Sequence, residues 1–309
     1  MAGRPYSGVF PIAPTAFLPN EDLDVLAQRR VVDFLVDAGV AGICILANFS
    51  EQFSLSDDER DLLTDLVLEQ AAGRVPVIVT TSHFSTRVAV ERSRRAERAG
   101  AAMVMLMPPY HGASLRPDPD AVQGFFIDVA AAVTVPVIIQ DAPLSGTPMP
   151  PAFLARLAGE AENLRYFKIE TPQAAAKLKA LLELGGDAIE GPFGGEEGVS
   201  LLPELEAGAT GTMPGSTIPE VLVEVVRLYR AGDREGATSL WETYLPLINY
   251  ENKQCGLQAA KILMAAGGII ASAAVRRPLT PVPAQIREGL LQIARRLNPL
   301  VLTWQSTTS

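Results

Sequence analysis

Short apolar segments alternate with longer segments of helical periodicity over the first three quarters of the chain. The apolar segments carry few polar positions, as is typical of strands in a parallel sheet that is covered on both faces. The pattern therefore predicts eight strands, at Gly8 to Phe17, Gly42 to Ala47, Val77 to Thr81, Met103 to Met107, Val137 to Asp141, Leu164 to Ile169, Ala188 to Gly191 and Gly211 to Pro214.

A helical pattern follows every predicted strand. Ser56 with Glu59 has the spacing of a helix N-cap followed by an acidic residue, and Pro150 and Pro172 suit first helical turns. Eight successive strand–helix units favour a closed (β/α)8 barrel, an α/β fold, over an open doubly wound sheet. The predicted helices span about 24–38, 56–72, 85–99, 118–132, 150 onward, 171–183, 199–207 and 218–230.

Beyond the eighth unit the strand pattern stops and only helical patterns remain, at about 233–250, 254–266 and 283–297. We expect a barrel domain over residues 1–231 and an appended C-terminal helical region over 232–309. Packing or contact between subunits is the expected role of that region.

Composition narrows the class of protein. With 309 residues, 48% hydrophobic and 20% charged, the chain can bury a core, and it has no apolar run long enough to span a membrane. A net charge of -9 with scattered arginines argues against a nucleic-acid or membrane partner. Cys44 and Cys255 lie far apart and no signal-peptide pattern opens the chain, so we expect a reduced, cytoplasmic protein.

The sequence offers little for a metal or a nucleotide. Its histidines are His83 and His111, too few for a histidine-rich zinc or iron site. Neither a phosphate-binding loop nor a dinucleotide-binding glycine motif is present. We therefore expect no cofactor.

Lys168 stands out among the lysines. It lies inside the apolar segment Tyr166-Phe167-Lys168-Ile169-Glu170, whose period of two sends Lys168 and Glu170 to the same face. In a barrel that face is the interior, where burial favours the neutral amine that can attack a carbonyl and form a Schiff base. A purely structural ion pair between Lys168 and Glu170 is the alternative. The other lysines lie in helical patterns with polar surroundings.

Several short motifs carry a family resemblance. The chain resembles the superfamily of dihydrodipicolinate synthase and N-acetylneuraminate lyase at Thr15-Ala16-Phe17, Ala47-Asn48-Phe49-Ser50-Glu51, Pro108-Pro109-Tyr110, Tyr166-Phe167-Lys168 and Gly208-Ala209-Thr210-Gly211. The resemblance implies a barrel that binds its substrate through a Schiff base at Lys168. It also implies a homotetramer that pairs through the extra helices.

Departures from the family pattern bear on the reaction. Gln140-Asp141-Ala142-Pro143 replaces the family's Y-N-x-P, whose tyrosine moves protons, and Asn48 and His111 replace further members of that relay. Because amides do not act as acids or bases near neutral pH, the usual proton relay is absent. Glu170 becomes the candidate general base, although a charge that merely caps the following helix is an alternative.

The resemblance, with this substitution, implies a dehydratase of 2-keto-3-deoxy sugar acids, with L-2-keto-3-deoxyarabonate as the expected small-molecule substrate. Lys168 would condense with the C2 ketone, Glu170 would take a C3 proton, and Gln140 would orient the leaving C4 hydroxyl or a water. The residues expected to contact the substrate are Asn48, Phe49, Ser50, Tyr110 as a pocket wall, His111, and Gly194 at the mouth.

Three other functions stay open on the sequence. A class I aldolase would release pyruvate, but it would need a substitute for the missing tyrosine. A dehydratase of a six-carbon keto-deoxy-glucarate would differ only in its contacts with the substrate tail. A non-catalytic barrel that binds keto acids would retain Lys168 as a charge anchor.

Overall fold

The computed structural model describes residues 6–112 and 115–307. Across these residues it has eight strands, which form one sheet in the order β1-β8-β7-β6-β5-β4-β3-β2. The chain is a (β/α)8 barrel, and the predicted fold class is confirmed. The strands are β1 (Gly8–Val9), β2 (Ile43–Ile45), β3 (Val77–Thr80), β4 (Met103–Leu106), β5 (Val137–Asp141), β6 (Tyr166–Ile169), β7 (Gly191–Gly194) and β8 (Gly211–Thr212).

One α-helix follows each strand, and four more close the described part of the chain. Those following the strands are α1 (Val25–Asp37), α2 (Asp57–Ala71), α3 (Thr86–Ala99), α4 (Pro119–Ala132), α5 (Pro151–Glu160), α6 (Ala174–Gly185), α7 (Leu201–Glu206) and α8 (Pro219–Arg230). The C-terminal helices are α9 (Arg234–Tyr250), α10 (Gln258–Ala266), α11 (Ala284–Leu297) and α12 (Leu300–Thr307).

The predicted N-capping residues, Ser56 and Glu59, form hydrogen bonds at the start of α2. The Glu59 N–H donates to Ser56 Oγ at 3.2 Å, and the Ser56 N–H donates to Glu59 Oε2 at 2.9 Å. This reciprocal pair satisfies two N–H groups that the first helical turn leaves without a helical partner. The predicted capping motif is confirmed.

Other element bounds differ from prediction. Helix α6 begins at Ala174 rather than Thr171, because Gln173 has a left-handed backbone with φ of 62°. Strand β7 begins at Gly191, where its prediction ended, since Ala188 belongs to a preceding 3-10 turn. A π-helical segment, Glu251–Cys255, delays the start of α10, and α12 was not predicted.

The chain divides into two compact units. Among the described residues, the first comprises Tyr6 and Ser7 together with Val77–Gly195 and Ser200–Thr212, and it holds β3 to β8. The second comprises Gly8–Pro76, Glu196–Val199 and the chain from Met213 onward, with β1, β2 and the C-terminal helices. The boundary at 231 and 232 stays a prediction, and its outer ends, 1–5 and 308–309, lie outside the described residues.

Parallel pairing in the first unit sets the neighbours of Lys168. Gln140 on β5 lies opposite Lys168 on β6, which in turn lies opposite Phe193 on β7. All residues of these three strands are buried. Residues in register on parallel strands project to the same face, so Gln140 and Lys168 share one surface. None of the helices described has the length and apolarity that crossing a membrane requires.

Candidate active site

Lys168 and Glu170 form an ion pair at the end of β6. The Lys168 ammonium group contacts Glu170 Oε1, and the two side chains are 4% and 16% exposed. Glu170 follows the last strand residue, and its N–H donates to the Asp141 carbonyl at 3.0 Å. Glu170 therefore sits at the carboxyl end of the strand, where barrels carry their catalytic groups.

Gln140 holds the second oxygen of the same carboxylate. Its Nε2 donates to Glu170 Oε2 at 2.9 Å, and the residue is 1% exposed. Gln140 Oε1 is buried and has no hydrogen-bond partner within the described residues. An unsatisfied buried acceptor is costly, and a substrate hydroxyl that donates to it removes that cost. The structure thus brings together the three residues predicted to be catalytic.

Two consecutive glycines, Gly194 at the end of β7 and Gly195 after it, face different surroundings. A Cβ on Gly195 would overlap the Glu170 side chain, whereas a Cβ on Gly194 would overlap Glu204 of α7. Gly194 was the predicted substrate contact, and its free side faces α7. Gly195, which sequence reasoning missed, leaves the space that the Glu170 side chain occupies. Its place in the run Gly194-Gly195 was the available signal.

A second buried ion pair lies beside this site. The Asp141 carboxylate, 3% exposed, contacts the Lys177 ammonium group of α6, which is 15% exposed. Burial raises the pKa of Asp141, and Glu170 adds to the increase, while Lys177 opposes it. Sequence reasoning placed Lys177 in polar surroundings. It missed the ion pair of Lys177 with Asp141, because the contact between these two side chains depends on how α6 packs on β5.

Tyr110 and His111 follow β4 and differ in exposure. Burial raises the pKa of the Tyr110 phenol, which keeps it neutral at physiological pH and suits a pocket wall. His111 is exposed and its ring lies 5.7 Å from the ring of Phe84. The structure places neither residue in hydrogen-bond contact with Glu170 among the contacts described.

In the second unit, Asn48–Ser50 forms a 3-10 turn directly after β2. The Ser50 hydroxyl donates to the Ala13 carbonyl at 2.7 Å, and the Thr15 hydroxyl donates to the Ser50 carbonyl at 2.6 Å. Asn48 Oδ1 accepts from Gln52 Nε2 at 2.8 Å. Ser50 is a predicted substrate contact, and its hydroxyl could donate to a substrate only after it released the Ala13 carbonyl.

Lys261 of α10 was expected to have polar surroundings, and that prediction is wrong. It is fully buried and pairs with the fully buried Glu51, and the Arg276 N–H donates to Glu51 Oε2 at 3.1 Å. Burial lowers the pKa of Lys261. The apolar flanks of Lys261 in α10 were the signal for its burial. The pair holds the end of the turn after β2 in place.

Glu251 is a further buried carboxyl group that sequence reasoning missed. It lies in the π-helical segment, is 2% exposed, and accepts a hydrogen bond from the Thr217 hydroxyl. Burial, with the nearby Glu197 carboxylate, raises the pKa of Glu251 well above its ordinary value. Asn252 Nδ2 donates to Glu197 Oε2 at 2.6 Å. These contacts belong to the second unit.

The model of the dihydrodipicolinate synthetase family matches residues 5–297 of the chain. The chain belongs to that family. The predicted resemblance is confirmed, and the Lys168, Glu170 and Gln140 arrangement therefore lies on a fold of this family.

Two curated relatives cover nearly the whole chain. The L-2-keto-3-deoxyarabonate dehydratase of Azospirillum brasilense is 53% identical over 299 residues, which cover 97% of each protein. The 4-hydroxy-tetrahydrodipicolinate synthase of Sorangium cellulosum is 30% identical, over 96% of this chain and 98% of that protein. The chain is thus far more similar to this dehydratase than to this synthase.

Solved structures agree on the fold. A dihydrodipicolinate synthase from Rhodopseudomonas palustris has a TM-score of 0.86 with 28% identity, covering 95% of this chain and 98% of that one. The synthase from Aquifex aeolicus has a TM-score of 0.89 with 22% identity, over 95% and 99% of the two chains. The second likeness bears on the fold alone.

Proposed function

We propose that the chain is an L-2-keto-3-deoxyarabonate dehydratase that removes water from its substrate to yield 2-oxoglutarate semialdehyde. The observation that carries the proposal is one carboxylate, Glu170, bound on one oxygen by Lys168 and on the other by Gln140. The 53% identity to the Azospirillum brasilense dehydratase supports the substrate. The reaction is a hydro-lyase reaction in the catabolism of a sugar acid, as in the use of L-arabinose.

The first step is imine formation at Lys168. An ammonium group must lose a proton before it attacks the C2 ketone, and the Glu170 carboxylate in contact with it can accept that proton. The amine then adds to C2, and water leaves as the imine forms. Since Lys168 is buried, the protonated imine withdraws electrons from C3 with little competition from solvent.

The second step breaks the C4–O bond. Glu170 removes a proton from C3, the enamine forms, and its electrons expel the C4 hydroxyl, which takes up a proton and leaves as water. Gln140 Oε1 accepts a hydrogen bond from that hydroxyl and sets its direction. Loss of a C5 proton and return of one at C3 give an enol at C4 and C5. The enol becomes the C5 aldehyde when C4 gains a proton and the C5 hydroxyl loses one, and hydrolysis of the imine frees Lys168.

Binding of the substrate carboxylate belongs to the turn after β2. The backbone N–H groups of Asn48 and Phe49 would donate to the carboxylate, since backbone N–H groups can bind an anion without a positive net charge on the protein. Tyr110 forms a wall, and Gly194 and His111 stay predicted contacts with the substrate tail. No metal or redox cofactor enters the reaction, because loss of water changes no oxidation state overall and the imine supplies the electron sink.

Cellular location and assembly form part of the same proposal. Cys44 and Cys255 are both buried and form no disulfide within the described residues, and burial raises the pKa of Cys255 to about 11. Buried, unreactive thiols suit a cytoplasmic protein. The family resemblance supports a homotetramer.

Product analysis tests the function. Incubation with L-2-keto-3-deoxyarabonate should yield a five-carbon aldehyde acid and no pyruvate. Borohydride added during turnover should attach a substrate-derived mass to the peptide that contains Lys168. Glu170→Gln should reduce kcat by about 10²- to 10⁴-fold and still allow that labelling, because the substitution removes the basicity of the side chain and keeps its shape.

Other products would identify the alternatives. Release of pyruvate and glycolaldehyde would assign a class I aldolase and overturn the dehydratase. Turnover of keto-deoxy-glucarate alone would assign the six-carbon substrate. Labelling without any turnover would leave a barrel that binds keto acids. Lys168→Ala should abolish labelling at that peptide.

A further inference from the structure

The ion pair of Asp141 and Lys177 has no part in the steps above, although it adjoins the residues that perform them. Asp141 follows Gln140 in the chain and pairs in register with Ile169, which precedes Glu170. Its side chain alternates with that of Gln140 and so projects from the other face of β5. There it meets Lys177 in the first turn of α6.

Stability alone does not explain this pair. Burial disfavours the charged form of Asp141 and raises its pKa, and the contact with Lys177 opposes that desolvation cost. Buried ion pairs often contribute no more to stability than apolar residues of similar size. The pair also borders an open cavity of about 490 Å³ rather than a close-packed core, and other walls of this cavity are Pro143, Met149 and Thr171.

The connection that carries Glu170 is short and is held at both ends. It runs from the end of β6 at Ile169 to the start of α6 at Ala174. At its first residue, the Glu170 N–H donates to the Asp141 carbonyl at 3.0 Å. At its far end, the Lys177 N–H donates to the Gln173 carbonyl at 3.2 Å, and the Lys177 side chain is bound to the Asp141 carboxylate.

Backbone strain in the same connection needs such restraint. Gln173 has φ of 62° and ψ of 36°, a left-handed conformation that a residue with a Cβ rarely adopts. Conformations of this kind persist only where the surrounding structure enforces them. Asp141 supplies that restraint twice, through its carbonyl to Glu170 and through its carboxylate to α6.

We propose that the Asp141–Lys177 ion pair is a positioning device that clamps the connection after β6 and holds the Glu170 carboxylate against Lys168 and Gln140. The inference rests on the proposed function of Glu170 as the general base. Neither Asp141 nor Lys177 contacts the reacting atoms. Their effect reaches the reaction only through the position of Glu170, so it concerns proton transfer and not substrate binding.

Lys177→Met tests the clamp, because methionine keeps the apolar stem and removes the charge. We expect kcat with L-2-keto-3-deoxyarabonate to fall by about 10- to 100-fold, since a displacement near 1 Å of a catalytic group has effects of this size. KM should stay within about threefold. Borohydride labelling of Lys168 should reach the same final extent as in the wild type, although at a lower rate, because Glu170 also takes the proton that Lys168 loses before the imine forms. Lys179→Met, an exposed lysine on the same helix, is the matched control and should leave kcat unchanged.

A conservative variant separates charge from size. Lys177→Arg keeps the charge, and the adjoining cavity has room for the guanidinium group, so it should recover most of the activity lost in Lys177→Met. If Lys177→Met does not fold, Asp141→Asn replaces it, because the amide keeps the shape of the side chain and removes the negative charge that holds Lys177. Asp141→Asn should show the same loss in kcat at unchanged KM.

Two results would overturn the clamp. One is a folded Lys177→Met protein with kcat within about twofold of the wild type. The other is a parallel fall of kcat, the final extent of Lys168 labelling and the midpoint of urea unfolding, which would assign the pair a purely structural role. Failure of the proposed function would instead appear in the wild type, as a different product, and is read independently of the variants.

Discussion

At the scale of single residues, one carboxylate defines the candidate site. Glu170 contacts the Lys168 amine, which we propose forms the imine, and the Gln140 amide, which stands where the family motif has a tyrosine. Because position 140 carries a glutamine in place of the family's tyrosine, Glu170 is the acid–base group in contact with Lys168 in the described structure. This arrangement favours removal of a C3 proton over deprotonation of the C4 hydroxyl, and hence dehydration over carbon–carbon cleavage.

Gly195→Ala should reduce kcat by about 10- to 100-fold, because the added methyl group overlaps the Glu170 side chain and forces it to move. The backbone of Gly195 is not in the left-handed region, so the substitution itself is tolerated. Steady-state kinetics, with borohydride labelling of Lys168 as a parallel measurement, check the effect.

Gly124→Ala is the control for that substitution. Gly124 lies within α4, and a Cβ there meets no neighbouring atom within 4 Å. It should keep full activity and raise the free energy of unfolding by about 0.5–1 kcal/mol, because alanine favours the helix. Equal activity of Gly195→Ala and wild type would show that Glu170 does not depend on this space.

At the scale of elements, the region after α8 departs most from regular structure. Helix α9 passes into the π-helical segment Glu251–Cys255 before α10 begins. A π-helical segment has more residues in its turn than an α-helix, so its side chains point in directions that the regular α-helical repeat would not give them. Here it directs Glu251 inward to Thr217, where a carboxyl group is fully buried beside a second one, Glu197.

Glu251→Gln should reduce the dependence of stability on pH. Because the pKa of Glu251 is raised in the folded protein, the native state binds more protons than the unfolded state above pH 4.5. The contribution of this group to the free energy of unfolding is therefore largest below pH 4.5 and falls as pH rises, by up to about 1.4 kcal/mol per pH unit. The variant, which still accepts from Thr217, lacks this fall.

Urea unfolding at pH 5 and pH 8 checks that prediction. The wild type should lose more free energy of unfolding between these two values than Glu251→Gln does. Glu242→Gln, on the exposed surface of helix α9 that precedes the π-helical segment, should behave as the wild type. Identical pH profiles for wild type and Glu251→Gln would contradict a raised pKa of Glu251.

At the scale of the whole molecule, the apolar surface bears on assembly. Phe53, Leu115 and Leu144 are 54%, 53% and 56% exposed. Large apolar side chains left in contact with water favour association, although single ones are common on monomers. The family resemblance points in the same direction.

The protein should form a homotetramer, with a mass in solution near four times 33.0 kDa. Multi-angle light scattering at micromolar concentration measures this mass directly. A mass near 33.0 kDa, unchanged on tenfold concentration, would show a monomer and would overturn the proposed assembly.

By itself, the sequence determined the number of strand–helix units, the α/β class and the identity of the lysine on β6. These follow from local properties, since hydrophobic periodicity depends on neighbours within a few residues and a lysine in an apolar strand is visible without coordinates. The alternation of two also placed Glu170 on the same face as Lys168. Gln140 was recognised only through the family motif that it interrupts.

Tertiary structure alone decided which distant side chains share a buried charge. Lys177 and Lys261 both lie in helices whose sequences give no partner, yet one meets Asp141 and the other meets Glu51, 210 residues away. The left-handed Gln173, the place of Gly195 beside Glu170 and the burial of Glu251 likewise depend on packing between elements. The flanks of a buried charge can indicate its burial, but its partner leaves no periodic signal, because the neighbours of the charge in space are not its neighbours in the chain.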